Sequence, residues 1–204
     1  MKSRITTRNG DGGEAMALNG ERYPKSHPIM AAVGGVDELR GHTALLRQHI
    51  LDSSRSDKEE LAAFLLWILH TYFLIGSACS DPERKKPQYR QGDIGPGHVK
   101  RLEDEQSRME QAVELPSAFI VTAANLPAAQ ADLTAAVTRR LERSLVELRS
   151  TNSAFEAKDI LIYVNRLSDF FYMLGRFIEH PNHNTVDYSY LATGQTPDGG
   201  ARNA

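Results

Sequence analysis

From Leu61 to Ile75 the chain is apolar around most of a helical circumference, with Leu61, Phe64, Leu65, Ile68, Tyr72 and Ile75 recurring at helical spacing. A helix of that kind cannot leave a whole face to solvent, so it demands neighbours on several sides and predicts a helical bundle around it. His70 and Thr71 interrupt the run, which reads as too short and too polar to cross a bilayer. The expectation is a central core helix, beginning after Ser56-Asp57 and ending near Ser80, with no membrane role.

The remaining segments supply the neighbours. Val36, Leu39, Ala44, Leu46 and Ile50 recur at helical spacing, Asp37 and Glu38 suit the positive end of a helix dipole, and Asp52-Ser53-Ser54 closes a first helix over roughly 36–52. Residues 97–114 carry many charges and a narrow apolar face at Val99, Leu102, Met109 and Val113 before Leu115-Pro116-Ser117 breaks the pattern. Asn125 caps a fourth helix, with Pro127 in its first turn, that runs to about Ser150. The fifth, about 153–179, carries Phe155, Ile162, Leu167, Phe170, Phe171 and Leu174 until Pro181 stops it. The fold class is therefore all-α, a five-helix bundle.

Around this core, residues 1–35 read as an irregular Gly-bearing arm, 36–180 as the bundle domain, and 181–204 as a flexible tail whose Tyr188, Tyr190 and Leu191 can fold back on a partner surface. Residues 81–97 have the Pro, Gly and charge content of an exposed connection, and Ala118–Val121 reads as extended. The start lacks the continuous apolar core of a secretion signal and reads as mature sequence. A net charge of -2 offers no global positive field for a polyanion, which argues against a nucleic-acid partner. One cysteine, Cys79, leaves no internal disulfide and no multi-cysteine zinc site, which fits a reducing, cytoplasmic setting.

Three constellations carry chemistry. Thr6-Thr7-Arg8-Asn9-Gly10-Asp11-Gly12-Gly13 combines backbone freedom, hydroxyls and a cation, as a loop wrapping phosphates requires, although a plain N-terminal arm has the same composition. Arg139, Glu142 and Arg143 share one helical face, either as a solvated ion-pair surface or as a guanidinium aimed at phosphate. Asn165, Ser168 and Asp169 place polar groups on one face of an otherwise apolar helix, as a site or as an interhelix polar network. His180 and His183 have no third ligand at a recognised spacing, so no metal ligands are assigned.

Taken in order, these segments resemble the ATP:cob(I)alamin adenosyltransferases of the propanediol-utilisation type over roughly residues 5–180. Thr7-Arg8-Asn9-Gly10-Asp11-Gly12-Gly13 resembles the opening T-[KR]-T-G-D-x-G, Arg22 and Lys25 fall on R-x-x-K, and Gly34-Gly35-Val36-Asp37-Glu38-Leu39 resembles G-T-V-D-E-L-N. Val137 to Arg143 resembles V-C-R-R-A-E-R, and Tyr163 to Asp169 resembles Y-L-N-R-L-S-D, the most specific match. The resemblance implies a ferritin-like five-helix bundle assembled as a homotrimer, with ATP between neighbouring subunits. Cobalt(I) of a corrinoid (cobalamin) would attack the ribose C5′ of ATP and displace triphosphate. Thr7, Arg8, Gly10, Asp11, Gly13 and Lys25 would wrap the triphosphate with Mg2+; Arg139, Glu142 and Asn165 would complete the nucleotide site; Asp37 would act at the subunit interface, and Phe119 would lie against the corrinoid. Arg139 and Asp37 are the catalytic candidates, and a reductase or mutase is the implied protein partner.

Several positions depart from the family pattern. Ala135 stands where an arginine normally pairs across the subunit boundary with the aspartate matching Asp37, and Arg40 stands one turn from Asp37, where it can supply that cation in cis. Phe119-Ile120-Val121-Thr122-Ala123-Ala124 replaces F-I-L-P-G-G, Ala15 replaces a threonine and Ile29 an arginine, so the nucleotide half keeps the pattern better than the corrinoid half. A relative that binds nucleotide or a protein partner without turnover is the alternative these changes raise. A purely structural helical module is the alternative outside the resemblance.

Overall fold

The computed structural model describes residue 6 and residues 8–193, apart from the side chains of 190, 191 and 193. Five long helices carry the fold: α1 (Pro28–Leu51), α2 (Lys58–Ser80), α3 (Pro96–Ala112), α4 (Leu126–Thr151) and α5 (Lys158–Glu179). α1 packs between α2 and α4, and α5 packs between α3 and α4. Two small antiparallel pairs sit at the margins, β1 (Glu14–Met16) with β2 (Arg22–Pro24) and β3 (Ile120–Val121) with β4 (Asn184–Thr185), followed by a short α6 (Tyr188–Thr193).

The predicted α2, α3 and α4 boundaries agree with the structure to within two residues. As expected, Asn125 caps α4, its side chain accepting from the Ala128 N–H at 3.0 Å. α1 starts at Pro28 rather than 36, so the arm is shorter than the 1–35 boundary assigned it. His27 accepts from the Ile29 N–H and Pro28 occupies the first turn, while Gly34-Gly35 lies inside the helix. A Cβ at Gly35 would come within 3.1 Å of Leu141 Cδ1, so this glycine allows the close approach of α1 to α4, and that packing overrides its weak helix propensity. α5 starts at Lys158 rather than 153, because Asn152 turns the chain by accepting from the Ala154 N–H at 3.0 Å.

The centre of the bundle is α5, not α2. From Tyr163 to Glu179, α5 buries Tyr163, Leu167, Phe170, Phe171 and Leu174 together with Arg176 and Glu179. α2 turns Leu61, Leu65, Ile68, Tyr72 and Ile75 inward, and leaves Leu66 at 42% and Phe73 at 62% exposure on its outer face. α2 is long and apolar enough to span a membrane, which corrects the judgement that it is too short. Its inner residues belong to the core and cross the bundle, with the Phe64 and Phe170 rings 5.2 Å apart and the Thr71 and Tyr163 hydroxyls 2.8 Å apart. The described part of the tail, residues 181–193, is not irregular throughout, since β4 pairs Thr185 with Ile120 and Asn184 with Val121.

Candidate functional site

The arm is organised by turns. The Asp11 N–H bonds to Arg8 O and the Gly13 N–H to Gly10 O, at 3.3 and 3.2 Å, and Gly13 takes φ +82°, a conformation that favours glycine. Lys25 is drawn onto this loop through its own N–H, which donates to Gly13 O at 2.8 Å. Its ammonium lies against Gly10, where a Cβ would come within 3.3 Å of Lys25 Nζ. Arg22 clips the loop to Asn9 O and the Glu14 carboxylate at 2.7 and 3.2 Å. The arm therefore gathers Arg8, Gly10, Asp11, Gly13 and Lys25, whereas Thr7 lies outside the described residues. Its anchor is the end of α2, where Leu18 donates to Ser80 Oγ at 2.8 Å and Glu21 pairs with Lys85.

A second group forms where α4 meets α5. Asn165 Nδ2 donates to Glu142 Oε1 at 3.3 Å, and Asn165 Oδ1 accepts from Arg166, which is itself paired with Glu103 at 2.9 Å. The two adjacent arginines are treated differently. Arg140 is committed to Glu38 on α1, whereas Arg139 is exposed and has neither ion pair nor hydrogen bond among the described residues. Among the described residues none of Arg139, Glu142 and Asn165 bonds to the arm, so the two groups stand separately within one copy. Asp37 is exposed on α1 and pairs with Arg40 at 3.0 Å, while buried Ala135 contributes no charge. The Arg40 guanidinium also covers the Phe73 ring, 5.3 Å from its centroid, beside a groove of about 460 Å³ that Leu18, Val36, Asp37 and Tyr89 help to line.

Phe119 stands apart from both groups. α1 and α4 run antiparallel, Gly35 meeting Leu141 and His42 meeting Gln130, so the arm and the Phe119 segment lie towards opposite ends of α4. Phe119 is 76% exposed, and Leu115, Val121, Leu126 and Tyr188 are further exposed apolar side chains on the segments before and after it.

Two features escaped the sequence reading. One is a buried ionic cluster: Arg176 bonds to Asp132 at 2.7 Å and approaches Glu179 at 2.8 Å, and His183 Nδ1 meets the same Glu179 oxygen at 3.1 Å. Burial pushes the Asp132 carboxyl up, against the opposing pull of Arg176. Arg176 and Glu179 stand three residues apart in an apolar helix, a signal visible in sequence, but their partners come from distant segments. The other is a cleft of about 810 Å³ between the 84–94 connection and the α4–α5 turn. Its Arg84 and Arg90 are already committed to Asp93 and Glu156.

The model of the cobalamin adenosyltransferase family matches residues 5–178. Over 179 residues the chain is 35% identical to a cobalamin adenosyltransferase of Cupriavidus metallidurans, covering 86% of this chain and 88% of that one. It is 30% identical over 199 residues to the corrinoid adenosyltransferase PduO of Salmonella typhimurium, covering 95% of this chain and 56% of that one. A variant PduO-type ATP:corrinoid adenosyltransferase from Lactobacillus reuteri, solved in complex with cobalamin and ATP, superimposes with a TM-score of 0.79 at 25% identity, over 90% of this chain and 99% of that one.

Proposed function

Since the chain belongs to the cobalamin adenosyltransferase family, we propose that it transfers the 5′-deoxyadenosyl group of ATP to cob(I)alamin with Arg139 as its principal cation. In this reaction Co(I) supplies an electron pair to C5′, the cobalt–carbon bond forms, the C5′–O bond breaks, and triphosphate leaves with the bonding pair. Negative charge grows on the departing oxygen, and a cation placed there in advance stabilises the transition state more than the ground state. The observation that carries this reading is Arg139, unpartnered among the described residues and one turn from Glu142 of the Glu142–Asn165 pair, while its neighbour Arg140 is spent on Glu38.

Arg8, Gly10, Asp11, Gly13 and Lys25 wrap the triphosphate, a role the sequence pattern also assigns to Thr7, and Glu142 and Asn165 orient the nucleoside. Among the described residues no three His, Cys, Asp or Glu side chains gather as a metal cage. Mg2+ would enter with ATP and would spread the charge of the leaving triphosphate. Phe119 lies against the corrinoid and excludes water from the reacting face.

The arm and Arg139 come from different copies, and the assembly is a homotrimer. This agrees with the lack, among the described residues, of bonds between the arm and Arg139, Glu142 or Asn165, and with the outward Leu66 and Phe73 on α2, which a second copy can cover. Asp37, paired with Arg40, borders the groove at that interface. A cytoplasmic setting agrees with Cys79, whose buried thiol is pushed up to about 12 and is unreactive. Because Co(I) must be generated by a reductant, a reductase is the partner this reaction calls for, and a mutase that consumes the product is the other.

A second reading, nucleotide binding without turnover, draws on the rebuilt Thr122-Ala123-Ala124 segment and on Ala135. Calorimetric titration with Mg-ATP and a spectroscopic assay of cobalt–carbon bond formation under strong reduction separate the two. Binding followed by adenosylation is expected. Binding without adenosylation selects the second reading, and no ATP binding removes both.

A further inference from the structure

We propose that Glu179 is a positioning residue for the Phe119 segment and sets how that ring meets the corrinoid, an inference that rests on the adenosyltransferase reading above. Phe119 is 76% exposed, so little packing of its ring fixes its place, and the frame has to come from its backbone. That backbone is gripped on two sides. Phe119 O accepts from the Val186 N–H at 2.8 Å, and Ile120 pairs with Thr185. Further on, the Ala124 N–H donates to Glu179 Oε2 at 3.0 Å.

Both grips lead to the same carboxylate. Glu179 Oε2 holds Ala124, while Oε1 meets Arg176 and also His183, which stands directly before β4. Arg176 passes the connection to Asp132 on α4. One fully buried side chain therefore ties α4, α5, the β3–α4 segment and the β4 segment together. A buried ion pair is a poor device for stability alone, because desolvation cancels most of its attraction and an apolar replacement often does as well. Its particular contribution here is direction: one oxygen faces the bundle cations, the other the segment that carries Phe119.

The test uses steady-state kinetics of the full chain with two variants. Glu179→Gln keeps the shape but removes the charge that Arg176 holds. Val186→Pro removes the N–H bonded to Phe119 O and leaves the buried cluster intact, so it carries the test if the first variant fails to fold. In both, KM for the corrinoid rises about tenfold, the order expected for a lost charge-assisted or buried hydrogen bond, and KM for Mg-ATP stays within twofold. Hydrogen exchange at the Ala124 amide accelerates in Glu179→Gln, whereas amides in the middle of α5 keep their protection. An unchanged corrinoid KM in folded Glu179→Gln, an equal rise in both KM values, or unaltered exchange at Ala124 overturns the proposal. Wild-type protein that forms no cobalt–carbon bond defeats the parent reading instead, and exchange at Ala124 still reports on the tie.

Discussion

The arm and the Phe119 segment are both irregular stretches hung on one bundle, yet they are held by opposite means. The arm is clipped by exposed pairs, Arg22 with Glu14 and Lys85 with Glu21, and by turns within itself. Pairs of that kind contribute about 0–1 kcal/mol each, so reshaping the arm around a polyphosphate costs little. The Phe119 segment is tied to a carboxylate with no exposed surface, inside a cluster where losing one partner strands a buried charge. On this view the nucleotide half adapts to its ligand, and the corrinoid half is framed before its ligand arrives.

The strongest way to break that contrast is at Arg139. As an exposed side chain with no partner among the described residues it contributes little to folding, so Arg139→Ala should leave the melting temperature within about 1 °C of wild type. Turnover should fall by about 100- to 1000-fold, the loss typical when one preorganised electrostatic partner of the developing charge is removed. Calorimetry and single-turnover kinetics on the same preparation check both halves of this prediction. Full activity in the variant would take the principal cation out of the nucleotide half.

A change in the arm sharpens the comparison further. Gly13 holds φ +82° with open space where a Cβ would go, so Gly13→Ala is strained by its backbone rather than by contact. Left-handed backbone disfavours an L-residue by about 1–2 kcal/mol, enough to raise KM for Mg-ATP several-fold. KM for the corrinoid should not move, the reverse of the split expected for Glu179→Gln. If both variants raise the same KM, the two halves are one site and the contrast drawn above fails.

How much of this was legible in the sequence depended on the range of each interaction. Local rules placed α2, α3 and α4, because the Asn125 cap, the Pro127 first turn and the Leu115-Pro116-Ser117 break act within a few residues. The Glu142–Asn165 contact followed from a family resemblance and not from spacing, since the two stand on different helices. Gly34-Gly35 misled, because glycine reads locally as a breaker while its use here is set by Leu141, more than a hundred residues away. The apolar circumference of α2 predicts a central position, whereas part of it faces outward at Leu66 and Phe73 and the enclosed helix is α5. The Arg176 cluster stayed hidden for the same reason. Its members are Asp132, Glu179, His183 and the Ala124 amide, and only the bundle brings them together.

The smallest expected effect tests the proposed boundary between copies. Asp37 and Arg40 form an exposed pair three residues apart, worth a few tenths of a kcal/mol to the isolated helix. Arg40→Glu turns that attraction into a repulsion of similar size, so the melting temperature of the fold should drop only slightly. Arg40 does more than pair, however. It covers the Phe73 ring beside the groove that Asp37 borders, and Ala135 leaves Asp37 with no cation from that position. If Arg40 supplies the missing charge in cis, reversal places two carboxylates side by side where a neighbouring copy approaches, and the assembly should dissociate at several-fold lower dilution while Mg-ATP binds more weakly. Sedimentation across a dilution series and titration with Mg-ATP read the two effects separately. An Arg40→Glu protein with unchanged assembly and unchanged ATP affinity would reduce the Asp37–Arg40 pair to an ordinary surface contact, and would leave the groove to be explained by its apolar lining alone.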